Sequence, residues 1–433
     1  YTGDSSYADL FIYNAESPLY SPPSYPPGFS LLLAPVYAFA GVSLEVMQYY
    51  MCVLLVATGF CVFHFSRSVR LSLAFSLLTA CIVCFHSFSL QLREQIISDI
   101  PFVALVLFFF HFHANQKSWV ATALIALAAV LTRSTGILLV AAWLAEIIYV
   151  LLFEKSNRER LFHQLKGVSL LLAGTLLAAL FFPILSGYSS SWNDVSVFTT
   201  MHENYFVYKD LFEYYFMYLF GVEEPVFKFF SWLLVLLFLT GTYSVLKSKH
   251  RISVLFCFLY LLLILSYPYK WGGYRMIFPL VPFVWISIFS GIQFLLHYLP
   301  RQKIAGAVMA AGLGVLLVLQ MDFSVRATDP AQCVESPPSV ALFESVKTHV
   351  PEGKIILSSK PRALALFTKR PGIFINRDSP LKKTKKIIAL HYISYVLRMN
   401  NTPHQGIDTL LNNATSAELI WKNEIYELYR LKD

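Results

Sequence analysis

The chain has 433 residues, 56% of them hydrophobic and only 14% charged, with 37 phenylalanines and a formal net charge of +8. A soluble domain carries roughly 25% charged residues, so the composition excludes a purely soluble protein and points to lipid. In a polytopic chain a positive balance reflects basic cytoplasmic loops and anionic phosphate partners, so no nucleic-acid partner is expected.

Residues 1–45 open with "YTGDSSYADLFIYNAESPLYSPPSYPPGFS" and read as a first outer loop, too polar to cross a bilayer. The loop holds Asp4 and Asp9, tyrosines suited to a headgroup interface, and proline pairs that end one segment before the helix "GFSLLLAPVYAF". Because the sequence begins on a surface loop, one further span upstream of Tyr1 is expected.

Apolar runs then predict ten crossings, at 46–66, 70–90, 97–113, 118–132, 135–153, 167–186, 227–246, 252–268, 276–298 and 303–322. The connecting loops alternate in charge. One set holds twelve Lys and Arg residues; the other holds five, namely Arg93, Arg133, Lys209, Lys270 and Arg275. Basic residues mark the cytoplasmic side, so residues 1–45, the long loop 187–226 and everything after 322 face outward. The pair in "CIVC" (81–84) reads as two small buried residues of a membrane helix, ahead of a redox pair.

Residues 326–433 differ in kind and predict a small extracytoplasmic α/β domain, separate from the membrane domain 1–325. An amphipathic helix at 339–350 leads to the strand "KIILSS", a second helix begins near "PRALALF", and "IIALHYISYVL" (387–397) reads as a strand. "ELIWKNEIYELYRL" closes with strand patterning, and "KKTKK" (382–386) reads as a solvated loop, with contact to phosphates or acidic lipid as the lesser reading.

The spans are nearly free of interior charge, Glu146 being the main exception. Intramembrane charge would favour a transporter. Polar residues gather instead at outer span ends: Asp4, Asp9, Arg93, Glu94, Asp99, Arg133, His202, Glu203, Lys270 and Arg275. Acids for proton transfer beside cations for a phosphate describe an enzyme site on the outer face. Each residue also has a plainer reading. Asp4 could be a loop acid or helix cap, Asp99 a cap for the span it opens, and Arg275 an interfacial anchor. Asp9 points to a different helix face from Asp4. Adjacent His202 and Glu203 lack the spacing of a metal site, and no metal ligands are assigned.

Four stretches in this order carry a resemblance: "YPPGFSLLL", "SDIPF", "LTRSTGILL" and "YRMIFPLVPF". Over roughly residues 1–325 the chain resembles the GT-C membrane glycosyltransferases, of the protein O-mannosyltransferase and aminoarabinose-transferase-like group. The resemblance implies an all-α polytopic domain of about 10–11 helices in the cytoplasmic membrane, with the α/β domain as an outer appendage. It implies transfer of a sugar from a polyprenyl-phosphate donor, with inversion, to a cell-envelope glycan, lipid or protein. Asp4 stands where the group keeps its general base; Lys270 and Arg275, then Arg133 or Arg93, would meet the leaving phosphate, and Asp99 would shape the sugar or acceptor site. Some members bind a divalent ion, which leaves a metal cofactor open. The chain departs from the group at "DSS", where protein mannosyltransferases carry Asp-Glu, and at Ser24 and Tyr25, where aminoarabinose transferases carry Glu-Lys, so neither substrate carries over. The alternative class is a transporter or flippase of a lipid-linked saccharide, which predicts a charged path through the spans.

Overall fold

A computed structural model describes residues 11–12, 26–41, 43–115, 118–153, 158–181, 196–267, 273–298, 302–326, 334, 336–375, 379–400, 404–412 and 417–432. The chain divides into two units, Tyr25–Ala327 and Thr328–Asp433, with Thr2–Ser24 joining the second. The sequence-based division at 325 put the whole first loop with the membrane helices. Phe11–Ile12 (β1) instead pair into the sheet of the second unit.

The first unit is helical: α1 (Gly28–Ala40), α2 (Leu44–Ser68), α3 (Leu73–Phe85), α4 (Ser87–Glu94), α5 (Asp99–Asn115), α6 (Trp119–Thr132) and α7 (Ile137–Phe153) come first. Then follow α8 (Arg158–Phe181), α9 (Val197–Phe220), α10 (Glu224–Leu246), α11 (Arg251–Ser266), α12 (Tyr274–Ile277), α13 (Val281–Leu296) and α14 (Gln302–Arg326). Serines start three of them. Ser43, Ser72 and Ser118 accept hydrogen bonds from the backbone N–H groups of Val46, Phe75 and Ala121, satisfying donors that a helix start leaves open.

Inside, aromatic rings from four helices interlock. Phe65 of α2 packs 6.0 Å from Phe110 of α5 and 5.8 Å from Phe283 of α13, and Phe110 lies 5.6 Å from Phe256 of α11. These rings are buried almost completely, so they hold the bundle by shape as well as by solvent exclusion. Gln293 ties α13 to the turn between α2 and α3: its amide donates to the Arg70 carbonyl (3.0 Å) and accepts from the Ser72 N–H (2.8 Å).

Five described helices are long and apolar enough to cross a membrane: Leu44–Ser68, Ser134–Phe153, Leu161–Leu180, Glu224–Leu246 and Tyr274–Leu296. The pair Leu73–Phe85 and Ser87–Arg93, bent by 52°, makes a sixth if it is one span. Asp99–Asn115, Trp119–Thr132, Arg251–Ser266 and Val308–Val318 are apolar but shorter, and occupy the other four expected crossings. The chain is therefore built as a multi-pass membrane protein. The stretch 187–226 differs from the expected open loop: it contains the 24-residue helix α9, whose charged and aromatic residues break the hydropathy signal while its helical period survives.

The second unit continues with α15 (Pro337–His349), β2 (Ile356–Ser358), α16 (Pro361–Thr368), β3 (Gly372–Phe374), α17 (Leu381–Leu390), β4 (Tyr395–Met399), α18 (Gln405–Leu411), β5 (Ala417–Lys422) and β6 (Tyr426–Leu431). Its six-stranded sheet has the order β1-β3-β2-β4-β6-β5, parallel from β1 to β4 and antiparallel from β4 to β5. Successive strand residues face opposite ways. Ile356 joins a core with Leu342, Val346 and Leu364 on one face, while Leu357 joins Ile373, Ile387 and Ile407 on the other.

Two sequence expectations change here. "KKTKK" is the first half of α17 and not a loop, and 387–390 finish that helix, so only the end of "IIALHYISYVL" is strand. Thr384 and Ile387, three apart, form the buried stripe of a lysine-rich helix, which makes its apolar residues resemble a strand start in the linear sequence. A further consequence follows from β1 and β3. The segments before and after the helical unit meet in one sheet, which requires an even number of crossings between them, as in the ten-span reading.

Candidate active site

Three interruptions of the helical pattern bring three charged residues together. The turn between α4 and α5 holds Ile96 at φ 48°, a left-handed conformation that a β-branched residue normally avoids. It leads into Asp99, the first residue of α5. Arg133 is the extended residue between α6 and the 3₁₀ turn Ser134–Gly136 that enters α7. Arg275 lies in the one-turn helix α12, whose start at Gly273 has φ 52°, a conformation glycine adopts without strain.

Asp99 is fully buried and both its oxygens are engaged. Arg133 Nη1 donates to Oδ1, and Arg275 donates to Oδ2 from Nε (3.3 Å) and Nη2 (3.1 Å). A carboxylate removed from water needs such partners, and the start of α5 adds the favourable end of a helix dipole. The arginines differ in exposure: the Arg133 side chain is 12% exposed and also reaches Met276 Sδ at 3.6 Å, whereas that of Arg275 is 45% exposed. Arg275 is thus the more solvent-accessible of the two cations that hold Asp99.

Asp99, Arg133 and Arg275 are thus three of the sequence-selected residues brought into one cluster. Arg93 closes α4 with Nη1 3.8 Å from Cys52 Sγ on α2. Asp4, Asp9 and Lys270 lie outside the described residues. Gly28 at the start of α1 sits so close to the Leu131 carbonyl that a Cβ there would clash with it. The chain therefore enters the bundle beside the end of α6, two residues before Arg133. His202 and Glu203 are exposed on α9, and among the described residues no group of three potential ligands converges on a metal position.

Sequence reasoning missed the contribution of α9. Thr200, Asn204 and Tyr208, four apart, form its buried polar stripe. The Asn204 amide donates to the carbonyls of Ile264 (3.3 Å), Leu265 (2.9 Å) and Tyr267 (2.7 Å), closing the end of α11 just before the segment that holds Lys270. The buried Tyr208 hydroxyl and Asn204 Oδ1 have no hydrogen-bond partner among the described residues. Tyr208 is 2% exposed and Tyr260 of α11 is fully buried. The Thr-Asn-Tyr spacing was the available signal, hidden because the segment read as a loop.

An aromatic stack braces α12. Tyr274 lies 5.7 Å from Tyr215 at an interplanar angle of 11°, Tyr215 stacks on His86 at 4.0 Å, and Trp285 Nε1 donates to the Tyr215 hydroxyl at 2.9 Å. A second buried charge cluster stands at the far end of α5, about 21 Å along the helix from Asp99 at 1.5 Å per residue. There His113 Nε2 is 3.2 Å from Glu146 of α7, and Arg251 Nε of α11 is 3.8 Å from the same carboxylate.

No protein-family model matches the sequence, and no curated protein matches it. Solved structures do match in fold. ArnT from Cupriavidus metallidurans bound to undecaprenyl phosphate gives a TM-score of 0.58 at 11% identity, covering 94% of this chain and 88% of that one. The oligosaccharyltransferase AglB from Archaeoglobus fulgidus, in complex with an inhibitory peptide and a dolichol-phosphate, gives 0.55 at 12% identity, covering 90% and 62%. The Archaeoglobus fulgidus oligosaccharyltransferase in complex with Zn and sulfate gives 0.55 at 13%, covering 87% and 59%. This chain, with its helical membrane unit and appended sheet domain, has a GT-C-like fold.

Proposed function

We propose that this chain is an integral membrane glycosyltransferase. It takes a sugar from a polyprenyl-phosphate carrier and passes it, with inversion, to a glycan, lipid or protein acceptor outside the cytoplasmic membrane. The observation that carries the reading is the buried Asp99 held between Arg133 and Arg275, with the Arg275 side chain 45% exposed. Solved structures of the same fold carry undecaprenyl phosphate and dolichol-phosphate, ligands whose phosphate such a cation would complement.

Division of labour follows from the chemistry. As the glycosidic bond to phosphate breaks, negative charge grows on the leaving oxygen, and Arg275, with Lys270 from the preceding segment, answers it. Arg133 keeps Asp99 in place and Asp99 orients Arg275. A weakly nucleophilic acceptor hydroxyl needs a base as it attacks. Asp99 is poorly suited, because both its oxygens are already bound to arginines. That role is assigned to Asp4, with Asp9 as a bystander.

Transfer of label from host-derived polyprenyl-linked sugars in proteoliposomes tests the reading. Asp4→Asn is expected to abolish transfer while the protein still folds and still binds polyprenyl phosphate. Full transfer by that variant would remove the assignment of Asp4, and saccharide translocation without transfer by the unaltered chain would favour the flippase class.

A further inference from the structure

Helix α17 has two contrasting faces. Thr384 and Ile387 face the core, while Lys382, Lys385, Lys386, Ala389 and Leu390 form a solvent stripe along the helix. The stripe changes from cationic to apolar at its end, where Leu390 is 57% and Tyr392 87% exposed.

The helix ends in a reversal usually built on glycine. The N–H of His391 closes the last helical bond to the Ile387 carbonyl, and that of Ile393 donates to the Ile388 carbonyl, both at 3.1 Å; the second is the 6→1 bond of a Schellman reversal. The residue between them, Tyr392, therefore sits at φ 51°. A tyrosine there is strained, and its side chain stays largely in solvent. The reversal sends Ile393 inward, to 5% exposure, and Tyr392 outward.

Connectivity limits what this surface can meet. Ten residues separate the end of α14 at Arg326 from the start of α15 at Pro337, and fifteen separate β1 from α1. The sheet unit is thus joined by two short connections to helices built to lie in a bilayer.

We propose that the second unit docks on the anionic headgroup layer of that bilayer through α17. Lys382, Lys385 and Lys386 lie against lipid phosphates, and Leu390 and Tyr392 enter the interface. Lysine stripes are drawn to anionic lipid, and a tyrosine ring suits the depth where one edge is apolar and its hydroxyl wet. The proposal is independent of the glycosyltransferase reading and survives its failure.

Amide hydrogen exchange of the full chain tests it, in nanodiscs of phosphatidylcholine alone and with phosphatidylglycerol added. Exchange across 386–393 is expected to slow about fivefold or more in the anionic discs, and the effect to vanish at high salt or in a Lys382→Glu, Lys385→Glu, Lys386→Glu variant. Equal exchange in both discs overturns the proposal, as does a difference that persists in the triple variant. Slowing that needs an added acceptor glycan in place of anionic lipid also overturns it. Tyr392→Gly, which fits the left-handed position, is expected to raise the melting temperature while reducing the anionic-disc protection. Undiminished protection in that variant counts against interfacial entry of the ring.

Discussion

Arg275 places two guanidinium nitrogens on a single oxygen of Asp99, a residue 176 positions earlier, and still leaves 45% of its side chain exposed. The carboxylate anchors the guanidinium while nearly half of the side chain remains at the surface. That difference in exposure separates the role proposed for Arg275 from that of the nearly enclosed Arg133.

Removing the carboxylate should cost fold before it costs chemistry. Asp99→Ala removes a fully buried carboxylate from between two arginines, one of them only 12% exposed, and breaking a buried pair in this way destabilises by about 3–5 kcal/mol. Thermal unfolding in detergent is expected to show a large drop, partly recovered by adding Arg133→Gln. An unchanged melting temperature for Asp99→Ala would mean that the charge cluster has no structural role.

Asn204→Ala removes three donor contacts to the end of α11. Exposing or orphaning those carbonyls is expected to cost about 1–3 kcal/mol. Faster hydrogen exchange should be confined to 264–267 and the segment after it, with lowered transfer because Lys270 follows directly. Uniform exchange across the chain in the variant would contradict a local clamp.

Glu146→Ala should be destabilising without touching ligand affinity. Its carboxylate faces His113 and Arg251 at the far end of α5, and its loss leaves Arg251, 12% exposed, without that counter-charge. Melting is expected to fall while polyprenyl phosphate binding stays within about twofold, since additivity holds for sites this far apart. A large loss of binding would show that the two clusters are coupled.

Acid stability of the sheet unit has an identifiable contributor. Burial pushes the Glu427 carboxyl up, but hydrogen bonds from Lys422, Tyr429 and Arg398 outweigh it and hold the group below its ordinary 4.5. Its unfolded form therefore binds a proton more readily than its folded form. The stability it contributes is present above pH 4.5 and is lost as pH falls through the lower folded value. Glu427→Gln is expected to lower stability at neutral pH and to flatten the pH dependence below 4.5. The same acid-melting profile in both proteins would contradict this.

Much of the helical unit was legible because hydrophobic runs report burial directly. The ten expected crossings coincide with helices over their described residues, and the span ends with few basic residues supplied Asp99, Arg133 and Arg275 as candidates. Their pairing was not legible: contacts over 34 and 176 positions arise from packing of α5, α6 and α12 and leave no local trace. Helix α9 was hidden because Lys209, Asp210 and Glu213 interrupt its apolar surface, although Thr200, Asn204 and Tyr208 keep a four-residue period. In α17 four lysines suggested a solvated loop, and only burial of Thr384 and Ile387 distinguishes a helix. The place of β1 beside β3 could not be read locally, since parallel pairing across the whole helical unit depends on the finished topology.

Affinity for polyprenyl phosphate in Arg275→Ala and Arg275→Lys, measured in detergent against the unaltered chain, tests the central claim most directly and does not require knowing the sugar. Loss of a charge-assisted contact worth about 2–3 kcal/mol predicts roughly 30- to 150-fold weaker binding for Arg275→Ala. Lysine should recover only part of it, because a point charge replaces a fork already oriented by Asp99. Undiminished affinity in Arg275→Ala, in a protein that melts like the unaltered chain, would contradict the assignment of this cation to the donor phosphate.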